Sequence, residues 1–133
     1  MLPPSPGRRA VVIAGLRTPF AKAGTVLQDV TAADLARHCT RELLYRTELP
    51  GDEVDEVIYG QVVPSPLLPN VGREVSLLPQ LPRTVPAYTL NRACASGAQA
   101  ICNATDQIMA GHADVILAGG VDQRAHRAER GAQ

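Results

Sequence analysis

The segment with the clearest chemical potential is NRACASG, residues 91–97, in which Cys94 lies between a predicted strand and a predicted helix. This junction is the carboxyl end of a strand, which is where ligands bind in open α/β sheets. The small residues 95–97 leave room for a substrate and leave the first N–H groups of the helix free. Those donors and the helix dipole favour a thiolate at Cys94 and could hold the oxyanion of an attacked thioester.

A thiolate that attacks a thioester forms a new thioester of similar energy, so reversible acyl transfer is the natural reaction for Cys94. No metal or prosthetic group is implied, because this chemistry needs none. A cysteine after a strand is also often a small buried hydrophobe, so the position alone leaves both interpretations open. Cys39 and Cys102 fall on the apolar stripes of predicted helices, and we expect both to be core residues.

The three histidines give no pairing argument with Cys94. His38 is predicted to face solvent, His112 follows the end of a helix, and His126 lies in a polar tail. A positive charge after a helix end is favourable, which is a structural reason for His112. The sequence therefore predicts no histidine partner for Cys94.

Strands and helices alternate along the chain. Short apolar, β-branched runs predict strands at 10–14, 54–63, 87–91 and 114–118. Helical spacing predicts helices from Thr31, from Val71 to about Leu78, and after Cys94, and residues 16–30 form a connecting loop. The expected fold class is α/β, with a mostly parallel sheet and helices on both of its faces.

The predicted helices have capping residues and apolar faces. Thr31 with Asp34, Asn70 and Gly111 are placed to cap the first, second and third helix respectively. The core-facing residues predicted for the first helix are Leu35, Ala36, Cys39, Leu43 and Leu44. Those predicted for the third helix are Ala98, Ile101, Cys102, Thr105, Ile108 and Met109.

Composition excludes several classes of function. The 133 residues are 45% hydrophobic, with 3% aromatic residues and a net charge of zero, so a core of Val, Ile, Leu and Ala is expected and nucleic-acid binding is not. No apolar stretch is long enough to cross a bilayer, and the N-terminus has no secretory signal region. Three cysteines without paired spacing indicate reduced thiols, so we expect a bacterial cytoplasm or an organelle matrix, and not secretion.

The chain is expected to contain one domain. Residues 1–7 are Pro-rich and predicted to be disordered, residues 8–122 form the domain, and residues 123–133 form a polar tail.

The wider string around Cys94, continuing through Gln99-Ala100-Ile101, resembles the nucleophile segment of the thiolase family. Further matches follow in the family's order and cover about residues 8–122. They are RTPF at 17–20, GQV at 60–62, NVGRE at 70–74, AG at 110–111 and DVILAGGV at 114–121. Residues 34–37 and 20–22 look closest to the thiolase subunit of the fatty-acid β-oxidation complex.

The resemblance implies an acyl-CoA C-acyltransferase with no cofactor, whose substrates are coenzyme A thioesters. Cys94 matches the cysteine that accepts the acyl group during cleavage or formation of 3-ketoacyl-CoA, and its backbone N–H would contribute to an oxyanion hole. The strand around Tyr88–Arg92 lies where family members pair across a dimer axis, which implies a homodimer. A partner subunit of a β-oxidation complex is implied by the closer match.

The sequence also departs from the family. Thiolases are several-fold longer, and their base histidine and second cysteine lie in segments that these residues do not contain, so this is an incomplete, thiolase-like N-terminal half. After Asp122 the tail differs from the family and resembles a truncated or frame-altered end. We expect the chain alone to be inactive. Two alternatives remain, a ketoacyl-synthase-type condensing enzyme and a non-catalytic remnant that dimerises.

Overall fold

A computed structural model of the chain describes residues 7–123, in which helices and strands alternate. In chain order they are α1 (Ala32–Thr47), β1 (Glu56–Gly60), α2 (Val71–Ser76), β2 (Ala87–Leu90), α3 (Ser96–Ala110) and β3 (Ile116–Gly120), with a 3₁₀ turn at Gly51–Glu53. The strands form a parallel sheet in the order β2-β1-β3. Gly60 pairs with both Leu90 and Gly120, so all three strands end at the same edge.

Helices cover both faces of this sheet, which confirms the predicted α/β class. Val57 and Tyr59 of β1 lie in the larger hydrophobic cluster, together with residues of α1 and α2. Ile58, between them in the strand, contacts Ala100 and Ala104 of α3 instead. Successive side chains of a strand point to opposite faces, so α1 and α2 lie on one side of the sheet and α3 on the other.

The predicted capping residues are confirmed. The Thr31 side chain accepts a hydrogen bond of 3.0 Å from the Asp34 N–H at the start of α1. Asn70 accepts one of 3.0 Å from the Arg73 N–H at the start of α2. Gly111 ends α3 with a left-handed φ of 77°, which glycine adopts without steric cost.

The strand predicted at residues 10–14 is wrong. Val11, Val12 and Ile13 are 68%, 83% and 81% exposed, and these residues pair with no strand in the part of the chain that the structure describes. A β-branched run favours extended backbone, but a strand also needs a partner edge, and that partner is not encoded locally. The sheet forms without this segment.

The other strand bounds shift for a local reason. The predicted strand at 114–118 begins two residues later, at Ile116. Before it, the Asp55 carboxylate accepts hydrogen bonds from the backbone N–H groups of Asp114 at 2.7 Å and Val115 at 3.0 Å. The N–H groups of Val115 and Asp114 hold the pKa of the Asp55 carboxyl below its usual range. β1 is likewise shorter than predicted and ends at Gly60.

The predicted core face of α3 is wrong. The buried residues are Ser96, Ala100 and Ala104, while Ile101 and Cys102 are exposed, so Cys102 is not a core residue. Small side chains allow α3 to lie close to the sheet, whereas a periodicity argument selects the largest apolar residues. Of the remaining predicted face, Ala98 is exposed and Thr105, Ile108 and Met109 are partly buried.

The predicted face of α1 is correct in part. Its buried residues are Ala33, Ala36, Thr40 and Leu44, and the predicted Leu35, Cys39 and Leu43 are half-buried. The Cys39 thiol donates a hydrogen bond of 3.4 Å to the Leu16 carbonyl. Burial raises the pKa of this thiol, which favours an inert, packed cysteine.

Because Tyr59 is buried, we expect the protein to lose stability at alkaline pH. It is 7% exposed, shares a hydrogen bond of 2.7 Å with Thr40, and burial raises its pKa to about 12. An unfolded tyrosine has a pKa near 10. The contribution of the neutral Tyr59 side chain to the free energy of unfolding is therefore complete below about pH 10 and is lost as the pH rises toward 12. The expected loss is about 2–3 kcal/mol. Urea unfolding of Tyr59→Phe should lack this pH dependence, whereas the exposed Tyr45→Phe should retain it.

Some expectations lie outside the described residues. The predicted disordered N-terminus and polar tail fall almost entirely on residues 1–6 and 124–133, and His126 is among them. Between residues 7 and 123, no helix is long and apolar enough to cross a membrane.

Candidate active site

Cys94 lies in the turn that joins β2 to α3, at the edge of the sheet where all three strands end. Residues 91–95 are exposed, including the Cys94 thiol. The interpretation of Cys94 as a small buried hydrophobe is therefore wrong. A substrate can reach this thiol from solvent, beside the first turn of α3.

Asn91 ties the turn to the chain that leaves β1. Its Oδ1 accepts a hydrogen bond of 2.9 Å from the Ala93 N–H, and its Nδ2 donates one of 3.0 Å to the Val62 carbonyl. Ala93 itself has a φ of 47°, in the left-handed region that a residue with a Cβ seldom adopts. The residue immediately before Cys94 is thus held in an unfavourable conformation by the contacts around it.

Ser96 completes these contacts and was not predicted to do so. It is 3% exposed, and its Oγ accepts a hydrogen bond of 2.8 Å from the Arg92 N–H and donates one of 2.6 Å to the Ala93 carbonyl. From the sequence alone, Ser96 is predicted only to leave space for a substrate. The available signal was a serine at a strand-to-helix turn, where side-chain hydroxyls commonly bond the backbone.

The N-terminus of α3 differs from those of α1 and α2. Its N-cap, Ala95, provides no side-chain hydrogen bond, and its first turn contains no acidic residue. Both other helices have a capping side chain and an acidic residue in the first turn. The positive end of the α3 dipole is therefore not offset by such groups, which favours negative charge beside Cys94.

Glycines bring α3 directly against the sheet edge. A Cβ added to Gly60 would lie 2.4 Å from the Ser96 carbonyl carbon and 2.6 Å from the Gly97 nitrogen. A Cβ added to Gly120 would lie 3.0 Å from the Gly97 Cα. The first turn of α3, and hence Cys94, is positioned by backbone-to-backbone contact with the last residues of β1 and β3.

A chain of polar contacts links the turn to the middle of α3. Arg92 donates to the Gln99 side chain, which donates to Asn103 at 2.7 Å, and Asn103 donates to the Tyr88 hydroxyl at 3.0 Å. Tyr88 belongs to β2, so these contacts connect the strand before Cys94 with the helix after it.

Two cavities in the described residues do not include Cys94. The larger, of about 460 Å³, is lined by the connecting loop and the end of β3, with Arg17, Phe20 and Lys22 among its residues. Arg17 lies over the Phe20 ring at 5.2 Å from its centroid. Asp122 also lines this cavity and accepts hydrogen bonds from the N–H groups of Val62 and Val63. The surface around Cys94 is open to solvent.

The described histidines lie away from this turn. His112 follows α3, whose 15 residues span about 22 Å, and its ring contacts Gln107. His38 is on exposed surface of α1, on the opposite face of the sheet, and contacts Arg41. Residues 7–123 contain no group of three or more His, Cys, Asp or Glu side chains that could hold a metal ion.

Comparison with known proteins decides the family. Residues 10–132 match the thiolase N-terminal domain family. The chain belongs to the thiolase family. It is 47% identical over 116 residues to a 3-ketoacyl-CoA thiolase of Aeromonas salmonicida and 43% identical over 116 residues to one of Pseudoalteromonas translucida. Each match covers 87% of this chain and 27% of the relative.

Two solved structures share the fold. The chain superposes on the Bacillus anthracis acetyl-CoA acetyltransferase with a TM-score of 0.84 and 36% identity, over 92% of this chain and 31% of that one. The Acat5 thiolase of Ascaris suum, solved in complex with coenzyme A, gives a TM-score of 0.75 and 30% identity, over 79% and 28% of the two chains. The thiolase-like fold is confirmed, and the chain spans about a quarter of the length of its curated relatives.

Proposed function

We propose that this chain contributes the acyl-accepting half-site of a 3-ketoacyl-CoA thiolase, with Cys94 as the nucleophile. The observation that carries the proposal is the exposed Cys94 thiol beside the uncapped first turn of α3. The identity to 3-ketoacyl-CoA thiolases over 87% of the chain supports the substrate class, a coenzyme A thioester. No further cofactor is required by the chemistry.

The proposed step is a thioester exchange. The Cys94 thiolate attacks the acyl carbonyl carbon, and the new carbon–sulfur bond forms while the carbonyl electron pair moves onto oxygen. The Ala95 and Ser96 N–H groups already donate to the Arg92 and Ala93 carbonyls, so other backbone N–H groups beside Cys94 stabilise this oxyanion. Its collapse breaks the bond to coenzyme A, which leaves as a thiolate, and the acyl group remains on Cys94.

The second half of the reaction requires groups that the described residues do not bring to Cys94. Deprotonation at carbon needs a base, and neither His38 nor His112 lies at this turn. We therefore propose that these residues alone support acylation of Cys94 but not the full condensation or cleavage. A remaining part of the catalytic site comes from additional polypeptide.

A homodimer through the strand around Tyr88–Arg92 fits this proposal. β2 lies at an edge of the described sheet, where its outer side is available to a second copy. The match to bacterial 3-ketoacyl-CoA thiolases is also consistent with a partner subunit in a β-oxidation complex. Three free thiols support a reducing compartment, the bacterial cytoplasm or an organelle matrix.

A second function, association without catalysis, is favoured by one observation. Ile101 is 50% exposed on α3, next to the exposed Ala98 and Cys102, so this helix presents apolar surface to solvent. Under this alternative the protein would form oligomers but would gain no acyl group from acyl-CoA.

The experiment that tests the proposed function is intact mass spectrometry of the protein from its native source, before and after mixing with acetyl-CoA. The proposal expects the mass to rise by one acetyl group, located on Cys94 by peptide mapping. A polypeptide heavier than 14.1 kDa would also reveal additional sequence. Oligomers that gain no adduct would contradict the proposal and favour association, whereas acylation only by an acyl carrier protein would favour a ketoacyl synthase.

A further inference from the structure

The turn before Cys94 needs an external restraint. Ala93 has a φ of 47°, and the steric contact of its Cβ disfavours that conformation relative to the right-handed and extended regions. Without restraint, Ala93 would relax and rotate the peptide plane that leads into Cys94. The conformation persists only because surrounding groups over-determine it.

Ser96 provides two of the restraints from one atom. Its Oγ accepts from the Arg92 N–H at 2.8 Å and donates to the Ala93 carbonyl at 2.6 Å, so it bonds the peptide group before Arg92 and the peptide group between Ala93 and Cys94. Other restraints do not involve the hydroxyl: the Ala93 N–H donates to the Asn91 side chain, and the Ser96 N–H donates to the Ala93 carbonyl at 3.0 Å. Ser96 is 3% exposed, so water cannot readily replace its hydroxyl.

These contacts are not those of a helix cap. A capping hydroxyl accepts from the N–H two or three residues further along the chain, inside the helix, as Thr31 does for Asp34. The Ser96 hydroxyl instead bonds backwards, to residues that precede the helix. Its contacts therefore fix the Cys94 turn and satisfy no donor within α3.

We propose that Ser96 is a positioning residue for acyl transfer: by holding Ala93 in its left-handed conformation, it keeps the Cys94 thiol aligned with the backbone donors at the start of α3. This inference rests on the proposed function of Cys94 as the nucleophile. Acylation requires both an available thiolate and donors aligned with the developing oxyanion. Alkylation by iodoacetamide requires only the available thiolate. Acylation alone should therefore depend on how the thiol is aligned with the backbone donors.

The test compares Ser96→Ala with Ser76→Ala in the natural protein. Ser76 is also fully buried and its hydroxyl also bonds a backbone carbonyl, so it controls for loss of a buried serine. In Ser96→Ala we expect acylation of Cys94 by acetyl-CoA to slow by about 10–100-fold, as for other small misplacements of reacting groups. Alkylation of Cys94 by iodoacetamide should stay within about 3-fold, and Ser76→Ala should change neither rate comparably.

A second variant tests the role of Ala93. Glycine adopts a positive φ without steric cost, so Ala93→Gly in the Ser96→Ala background should restore a substantial part of the acylation rate. Unchanged acylation in Ser96→Ala, or an equal fall in acylation and alkylation, would overturn the proposal. Failure of Ala93→Gly to restore any activity would also overturn it.

Hydrogen exchange separates this inference from the proposed function. The Arg92 amide donates to Ser96, so its exchange should accelerate by at least about 10-fold in Ser96→Ala and not in Ser76→Ala. If the parent protein is not acylated, the proposed function fails, and exchange alone decides whether Ser96 holds the turn. Unchanged Arg92 exchange would show that it does not.

Discussion

Replacement of Cys94 with alanine is expected to abolish the acyl adduct that acetyl-CoA forms on this protein. The sulfur is the atom that bonds the acyl carbon, and alanine offers no nucleophile in its place. Because Cys94 is exposed, the free energy of unfolding should change by no more than about 0.5 kcal/mol. Intact mass after incubation with acetyl-CoA measures the first effect, and urea unfolding measures the second.

Cys102→Ala is the matched control. Cys102 is also exposed and lies on α3 itself, so it reports on non-specific acylation of an accessible thiol. The Cys102→Ala variant should still gain the full acyl adduct, at the acylation rate of the parent protein. An adduct that persists in Cys94→Ala, or that disappears in Cys102→Ala, would show that Cys94 is not the acyl acceptor.

Local chemistry explains why a candidate site could be predicted from the sequence. A cysteine followed by small residues at a strand-to-helix junction defines both the position of the thiol and the availability of helix donors. The capping residues Thr31, Asn70 and Gly111 are equally local, because each bonds or bends the backbone within a few residues. The three capping predictions, which depend on neighbours in sequence, are therefore confirmed.

The wrong predictions depend on distant partners. The β-branched residues 11–13 resemble a strand, but no strand among the described residues pairs with them, so they remain exposed. The prediction of which face of α3 is buried was wrong because the distance of this helix from the sheet is set by Gly60 and Gly120, which lie in other elements. A close helix buries Ala100 and Ala104 and leaves Ile101 in solvent.

The hydrogen bonds of Ser96 could not be predicted from the sequence either. A serine at this position could cap the helix, stabilise a turn or serve only as a small side chain. Only the left-handed φ of Ala93 gives its hydroxyl two backbone partners on the preceding side. Strained backbone conformations cluster at active sites, and Ala93 adjoins the proposed nucleophile.

Gly60→Ala is expected to destabilise the fold and to displace the site together. The new Cβ would lie 2.4 Å and 2.5 Å from the carbonyl carbon and oxygen of Ser96, and 2.6 Å from the Gly97 nitrogen. These are backbone atoms in the first turn of α3, so no side-chain rotation relieves the clash. We expect a loss of about 3 kcal/mol or more in the free energy of unfolding, measured by urea denaturation.

The matched control is Gly15→Ala, since a Cβ at Gly15 meets no atom within 4 Å. It should leave stability within about 0.5 kcal/mol of the parent, or raise it slightly by restricting the unfolded chain. The folded fraction of Gly60→Ala should also be acylated at least about 10-fold more slowly, because α3 must move away from the sheet edge and carry its donors with it. Parental stability in Gly60→Ala would contradict the close approach of α3. A destabilised Gly60→Ala that is acylated at the parental rate would show that the Cys94 turn keeps its alignment without the sheet edge behind it.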